Sequence, residues 1–287
     1  MKVNWPYLLI AMLFLTGQAC NRGKKKWAVN DSSRYDLLQP VIIKLPVALD
    51  EISGIAYYPK DTAVFAIVDE AGILYKIDLN RPSEIKKWKF DKKRDFEDIV
   101  LHDSIFYILI SNGDIETIQF GQNDSITTEQ YTFPGEGKMV NEFESLYYDD
   151  SLKQLVLLCK SCDEDDAGKV SAYGFSIATQ QYTSLPFPLD VSAAAQKTGK
   201  EKLKLKPSAA AINPVTGECY ILSAQNKLIV VTDRKGNFRS LFELAPRIYK
   251  QPEGIAFTPT GDLIISNESG GSGAGNILLI RNKKKGL

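Results

Sequence analysis

Three glutamates recur in matching surroundings along this chain: Glu97, Glu144 and Glu253 each follow a Phe or Pro and precede a short side chain. Carboxylates gathered at one place repel one another unless a proton, a hydrogen-bond donor or a cation neutralises them. A hard cation such as Ca²⁺, which takes about six to eight oxygens, would satisfy such a set. Backbone N–H groups of neighbouring strands would satisfy it too, and the residues alone leave both readings open. The single histidine, His102, excludes a site built on several imidazoles, and with it three-histidine zinc and two-histidine iron. With 35 Lys and Arg against 35 Asp and Glu the formal charge is zero, so no basic field exists to hold a nucleic acid.

The elements that would carry these glutamates repeat. Five segments begin with a polar residue, then an apolar residue or Pro, an acid or Ser, a small or short residue, and an apolar run. They are Glu51-Ile52-Ser53-Gly54-Ile55, Asp95-Phe96-Glu97-Asp98-Ile99, Glu142-Phe143-Glu144-Ser145-Leu146, Lys206-Pro207-Ser208-Ala209-Ala210 and Gln251-Pro252-Glu253-Gly254-Ile255. Their third residues stand at 53, 97, 144, 208 and 253, in steps of 44, 47, 64 and 45. A period near 45 residues with short strands is that of a propeller blade, whereas a two-sheet sandwich requires no such recurrence. Turn residues divide each unit into four strands. The last unit supplies three before the chain ends, and residues 37–45 are left over to pair there. The expectation is an all-β, five-bladed β-propeller of four-stranded antiparallel blades, the last closed by the N-terminal strand. Blades are expected at about 50–92, 93–135, 140–187, 205–245 and 250–282, with a helical insert at about 188–203 that explains the long step.

Gln251-Pro252-Glu253-Gly254-Ile255-Ala256 and Asp95-Phe96-Glu97-Asp98-Ile99, with Asp69-Glu70 after the second strand, resemble the SdiA-regulated family of bacterial propellers. That family's pattern has an E-x-SG opening, a D-x-EG blade, an N-x-x-EG blade and a late QPEGIA. The likeness runs from about residue 45 to 281 and implies a five-bladed propeller of the bacterial envelope, often a lipoprotein, without a settled activity. Lys206 stands where the pattern favours an acid, and Asp98 and Ser145 where it has glycine, so a shared ligand site is expected to be incomplete on that side.

In a blade the inner strand lines the channel and the second runs antiparallel to it, so the start of one and the end of the next share a face. Alternation would put the third motif residue on the side of the fifth. The metal- or ligand-binding set expected from this is Glu51, Asp69, Glu70, Glu97, Asn112, Glu144, Glu253, Asn267 and Glu268. Asp95, Glu142, Asp114, Asp163 and Asn226 fall in the same two polar groups. The apolar residues Ile55, Tyr57, Ile99, Leu101, Leu146, Tyr148, Ile255 and Phe257 are expected to pack within or between blades.

Lys2, an apolar run over residues 7–15 and Gly17-Gln18-Ala19 before Cys20 read as a signal peptide over 1–19. The run is far short of the roughly 20 residues of a membrane-spanning helix. Cys20 after a small residue resembles a lipobox with Gly17 in place of the usual leucine, so either lipidation of Cys20 or plain cleavage follows. Residues 20–34 would then be a lipidated N-terminus and tether, and the partners a membrane and an envelope protein or small ligand, facing the periplasm or the cell surface. A monomer is expected. Cys159-Lys160-Ser161-Cys162 has no second CxxC, which favours a local disulfide or two quiet thiols over zinc or redox chemistry. His102 reads as a solvated turn residue, Ser269-Gly270-Gly271-Ser272-Gly273-Ala274-Gly275 as a loop rather than a phosphate cradle, and Asp163-Glu164-Asp165-Asp166 as a solvated acidic loop. Two functions compete: a binding module, with Ca²⁺ as a candidate at the channel top, and a metal-dependent hydrolase of lactones or phosphate esters using the same carboxylates.

Overall fold

Strands buried on both faces read as unbroken apolar runs, and those exposed on one face as alternating ones. This difference orders the strands radially. In a computed structural model of the chain, which describes residues 34–135, 141–165, 168–186, 189–199, 201–271 and 273–284, Ala63–Val68 is buried at every position. Cys219–Ser223 and Leu263–Asn267 are buried throughout as well. Each is the second strand of a four-stranded antiparallel sheet, enclosed by the neighbouring blades. Outermost strands such as Ile126–Tyr131 and Ile85–Lys89 are largely solvated.

Five such sheets are arranged as a propeller. Their inner strands are Ile52–Tyr58, Phe96–His102, Glu142–Asp149, Ala209–Ile212 and Pro252–Phe257. The blades interlock through apolar clusters at their seams. Phe65 of blade one meets Phe106 of blade two at 4.5 Å between ring centroids, and Trp88 meets Phe120 at 4.9 Å. Of the eight expected core residues, Ile55, Ile99, Leu146 and Ile255 are buried, while Tyr57, Leu101, Tyr148 and Phe257 are half-buried around a shallow apolar cup.

That cup opens at the end of the ring where the inner strands finish, here called the bottom. His102 lies at this end, but it is not a solvated turn residue: its ring stacks on Tyr148 at 3.7 Å and pairs with Asp103. The turn itself is Asp103-Ser104, both with positive φ, which matches the twist of a two-residue hairpin.

The ring closes at its ends. Val41–Lys44 pairs antiparallel with Asn276–Ile280 and completes blade five. The strand is shorter than the expected 37–45, with Pro40 and Pro46 just outside it. Tyr35, 2% exposed, donates its hydroxyl to the Gly261 carbonyl at 2.7 Å and accepts from Asn213 Nδ2 at 2.8 Å. Tyr249 Oη donates to the Leu37 carbonyl at 2.9 Å. Both the start of the described chain and its end, where Lys283 N–H donates to the Arg34 carbonyl, therefore lie at the bottom. Deleting residues 34–45 leaves a strand edge open, removes Tyr35 from the core, and takes from Tyr249 and Asn213 their partners Leu37 and Tyr35. We expect such a chain to be lost to aggregates, or to melt at least about 10 °C lower; soluble yield and a thermal melt decide it.

The long third step holds more than a helix. Lys169–Val170, between the second and third strands of blade three, pairs with Leu189–Asp190, which follows that blade's last strand, in a separate two-stranded sheet, and a helix at Ser192–Lys197 comes next. The Cys159 and Cys162 sulfurs are bonded, and Cys219 is a buried free thiol. Residues 1–33, with Cys20, and Asp166 lie outside the described residues.

Candidate functional site

The motif residues occupy a β-bulge. In blades two, three and five the register of the inner strand slips between the second and fourth motif residues, as between Phe96 and Asp98 or Pro252 and Gly254, and in blade one between Ile52 and Ile55. The extra residue breaks the alternation that the sequence suggested. The second residue turns into the blade seam, where Ile52, Phe96 and Phe143 are fully buried. The third is aimed at the channel mouth, and the fourth faces the axis.

At the axis the channel is shut. Asp98 is 2% exposed, and its Oδ1 accepts the Ile99 N–H at 2.9 Å while Oδ2 reaches across to the Leu146 N–H of blade three at 2.8 Å. The Ala210 N–H of blade four also points to it. Burial pushes the Asp98 pKa well up and these N–H groups pull it back. Gly54 makes room: a Cβ there would stand 2.5 Å from Asp98 Cα. The aspartate in place of glycine is therefore a bridge between blades, not a gap in a site.

Above this floor lies a basin of about 560 Å³. Blades one and two contribute Ser53, Asp69, Asp95 and Glu97, blade three Glu142, Glu144 and Lys160, and blade five Glu253 and Glu268. Blade four contributes Lys206, Ser208, Ala224, Gln225 and Lys227, and the lead into blade five adds Lys250 and Gln251. Lys160 forms ion pairs with both Glu144 and Glu142, the latter at 2.9 Å. Glu97 has no such partner among the described residues; burial first, then the charge of Asp95, raise its pKa to about 9 against the pull of Lys160. Burial and the adjoining Asp95 carboxyl bring Asp69 to about 7. Burial and Glu268 do the same for Glu253. The basin thus neutralises its acids partly with an internal ammonium and partly with retained protons. The expected alternative, backbone N–H bonds to the glutamates, is a role that Asp98 fills instead.

Five of the nine expected site residues line the basin: Asp69, Glu97, Glu144, Glu253 and Glu268. Glu51 stands at its edge, where its charge is felt by Asp69 and Glu268. Glu70 pairs with Lys93 on the exposed rim. Asn112 and Asn267 serve the loops. Asn112 exchanges hydrogen bonds with Asp114, and buried Asn267 donates to the Ile248 carbonyl and accepts from the Gln251 N–H. The sequence reading missed Lys160, Lys227, Lys250, Gln225 and Gln251. Lys160 follows Cys159, the pairing partner of Phe143, just as Asp69 follows the partner of Ile52 and Glu268 the partner of Pro252. Counting by register rather than by distance would have found it in place of Asp163.

The carboxylates supply oxygens suited to Ca²⁺, but they are splayed. Among the described residues, the one set of three potential ligands within 4.8 Å of one another is Cys159, Cys162 and Asp165, whose sulfurs are spent in the disulfide.

These features define a five-bladed β-propeller with a blind, ionic basin at the channel top. The chain belongs to the SdiA-regulated family, whose sequence profile matches residues 41–270. No curated protein matches it significantly. Among solved structures it is similar to a luciferin-regenerating enzyme, at 11% identity over 87% of this chain and 98% of that one, with a TM-score of 0.52. Similar too are regucalcin, a calcium-binding protein of Agrobacterium tumefaciens strain C58 (14%, 87% and 94%, 0.51), and the glutaminyl cyclase of Myxococcus xanthus (12%, 85% and 97%, 0.53). At such identities the likeness is one of fold. No helix among the described residues is long and apolar enough to cross a membrane.

Proposed function

We propose that this protein is a lipid-anchored binding module of the bacterial cell envelope, tethered through Cys20 and presenting its channel-top basin to a polar ligand or an envelope partner. One observation carries the reading: the basin is a cup closed at the axis by Asp98, at the end of the ring opposite the point where residue 34 leads back to the tether. A tether at the bottom turns the basin away from the membrane. The ring's fixed inner strands make it a preformed site, which spares the ordering cost of binding. Ca²⁺ is a weak occupant of the acidic half in this reading, since the carboxylates must close in and lose protons to cage it.

A hydrolytic reading has one observation in its favour. Glu97 keeps its proton through neutral pH beside Asp95, as a general acid requires. Against it, the only histidine lies at the other end of the ring, so no imidazole stands ready to activate Ser53 or Ser208.

In a bacterial host the full chain is expected in the membrane fraction and its Cys20→Ser variant in the soluble one; a variant that stays with the membrane overturns the anchor. For the domain from residue 34, Ca²⁺ at about ten times its Kd should raise the melting midpoint by about 3–6 °C. Glu253→Gln should remove that rise, and a rise that survives it places the ion elsewhere. Calcium-dependent turnover of a p-nitrophenyl phosphate or a lactone, lost in Glu97→Gln, would replace the binding reading by the hydrolytic one.

A further inference from the structure

Building on the basin as a binding site, we propose that it takes a short zwitterionic peptide of two or three residues, its free ammonium toward Asp69, Asp95 and Glu97 and its free carboxylate toward Lys206 and Lys227. In a ring of five blades, blade four stands across the axis from the seam between blades one and two. Asp69, Asp95 and Glu97 sit at that seam, where the Asp69 carbonyl accepts the Phe96 N–H. Blade four brings no acid to the basin, only Lys206, Lys227 and neutral side chains. The basin therefore has a wall of three carboxyl groups, which a bound ammonium would draw toward ionisation, facing a wall of lysines.

The two lysines are poorly compensated. Lys160 is held by Glu142 and Glu144, whereas neither Lys206 nor Lys227 is in an ion pair among the described residues, although Lys227 Nζ donates to the Lys250 carbonyl. Burial, joined by the like charge of Lys204, lowers the pKa of Lys206 against the pull of Glu142, and burial lowers that of Lys227 against the pull of Glu253. Both ammonium groups thus gain from an anion. A dianion would meet the opposite wall, and a polyamine would meet the lysines, so the walls select against a ligand of one sign. The splayed carboxylates suit an organic ammonium, whose three N–H donors diverge, better than a point ion that needs oxygens closing on it. A volume of 560 Å³ equals a sphere about 10 Å across. Two or three extended residues span about 7–10 Å, which brings one terminus to each wall, while a single amino acid reaches only one.

Titration calorimetry of the domain from residue 34 with trialanine, N-acetyl-trialanine and trialanine amide tests this. Trialanine should bind, and blocking either end should weaken it at least about tenfold, the worth of one charge-assisted contact. Lys206→Met should weaken trialanine by a similar factor while leaving the amide unaffected, and Asp95→Asn should do the same toward the acetylated peptide. Equal binding of all three peptides overturns the proposal. So does the absence of peptide binding in a protein whose midpoint still responds to Ca²⁺, which would leave the basin a binding site for another class of ligand. If neither peptide nor Ca²⁺ acts, the basin reading itself falls.

Discussion

Replacing Asp98 by alanine is expected to cost the domain about 3–5 kcal/mol, since it leaves two or three buried N–H donors without an acceptor at about 1–3 kcal/mol each. The carboxylate accepts N–H groups from its own strand and from blade three, and the Ala210 N–H of blade four adds to them. Water cannot readily replace the carboxylate for these donors, since Asp98 is 2% exposed and Ser145 and Ala209 are fully buried. At about 2–4 °C per kcal/mol for a domain of this size, the melting midpoint should fall by about 10 °C. Asp98→Asn keeps the shape but turns an NH₂ toward one of the N–H groups, so it should lose a large part of the same stability. A second substitution separates this from a general dislike of change at the waist. Gly54→Ala forces a Cβ against the Asp98 Cα and the Ile99 N as well as against Asp98 Oδ1, so only the share of its cost owed to Oδ1 should be relieved when residue 98 is glycine. A midpoint unchanged in Asp98→Ala would show that the blades are not tied through this side chain.

The sequence made the blades legible because their physics is local: apolar runs of strand length, turn residues between them, and a recurring polar-apolar-acid-small start. Closure was legible by subtraction, since the last unit lacked a strand and the chain's first apolar segment had none to pair with. The bulge was written there too. Ile52 and Ile55, Phe96 and Ile99, Phe143 and Leu146, and Pro252 and Ile255 are three apart, where strict alternation would have them two apart. Strict alternation set Glu97 beside Ile99 on one face, whereas the extra residue sends Glu97 to the mouth and Ile99 to the wall of the lower cup. What the sequence hid was the sign of the far wall. Lys227 and Lys250 belong to no repeat motif, and only the ring's geometry carries them to the glutamates, while Lys160 could be placed by strand register alone. The amide pair Asn112 and Asn267 looked like ligands because loop-capping and ligand-binding use the same side chains; the hydrogen bonds to Asp114, Ile248 and Gln251 decide for capping. The paired segments at Lys169 and Leu189 are two residues each, too short for any periodicity to announce.

The protonated basin gives the domain an unusual pH dependence: it should be more stable near pH 5.5 than near pH 9. Carboxyls in an unfolded chain titrate near pH 4. In the folded domain Asp69, Glu253 and, in blade two, Glu116 are raised to about 7, and Glu97 to about 9. Burial is the first cause for each, followed by a neighbouring acid, which is Asp91 for Glu116. Between those limits the native state binds more protons than the unfolded one, so stability declines as pH rises. Asp69, Glu253 and Glu116 drive the decline from about pH 4 to 7, Glu97 extends it to about 9, and Glu268 and Asp98, also raised by burial, act in the same direction. Opposing groups exist. Asp78, Asp150, Asp190 and Asp233 are lowered by their hydrogen bonds and favour higher pH, but they lie at the surface where such contacts are worth little. Lys206 and Lys227, lowered by burial, favour it only in the alkaline range where lysines titrate. The net expectation is a midpoint about 5 °C lower at pH 9 than at pH 5.5. Glu97→Gln, which carries the neutral form at every pH, should flatten the segment from pH 7 to 9 and leave the variant more stable than the parent at pH 9. A midpoint that holds or climbs to pH 9 would mean that the basin carboxylates are ionised and that a bound cation or water, rather than retained protons, keeps them apart.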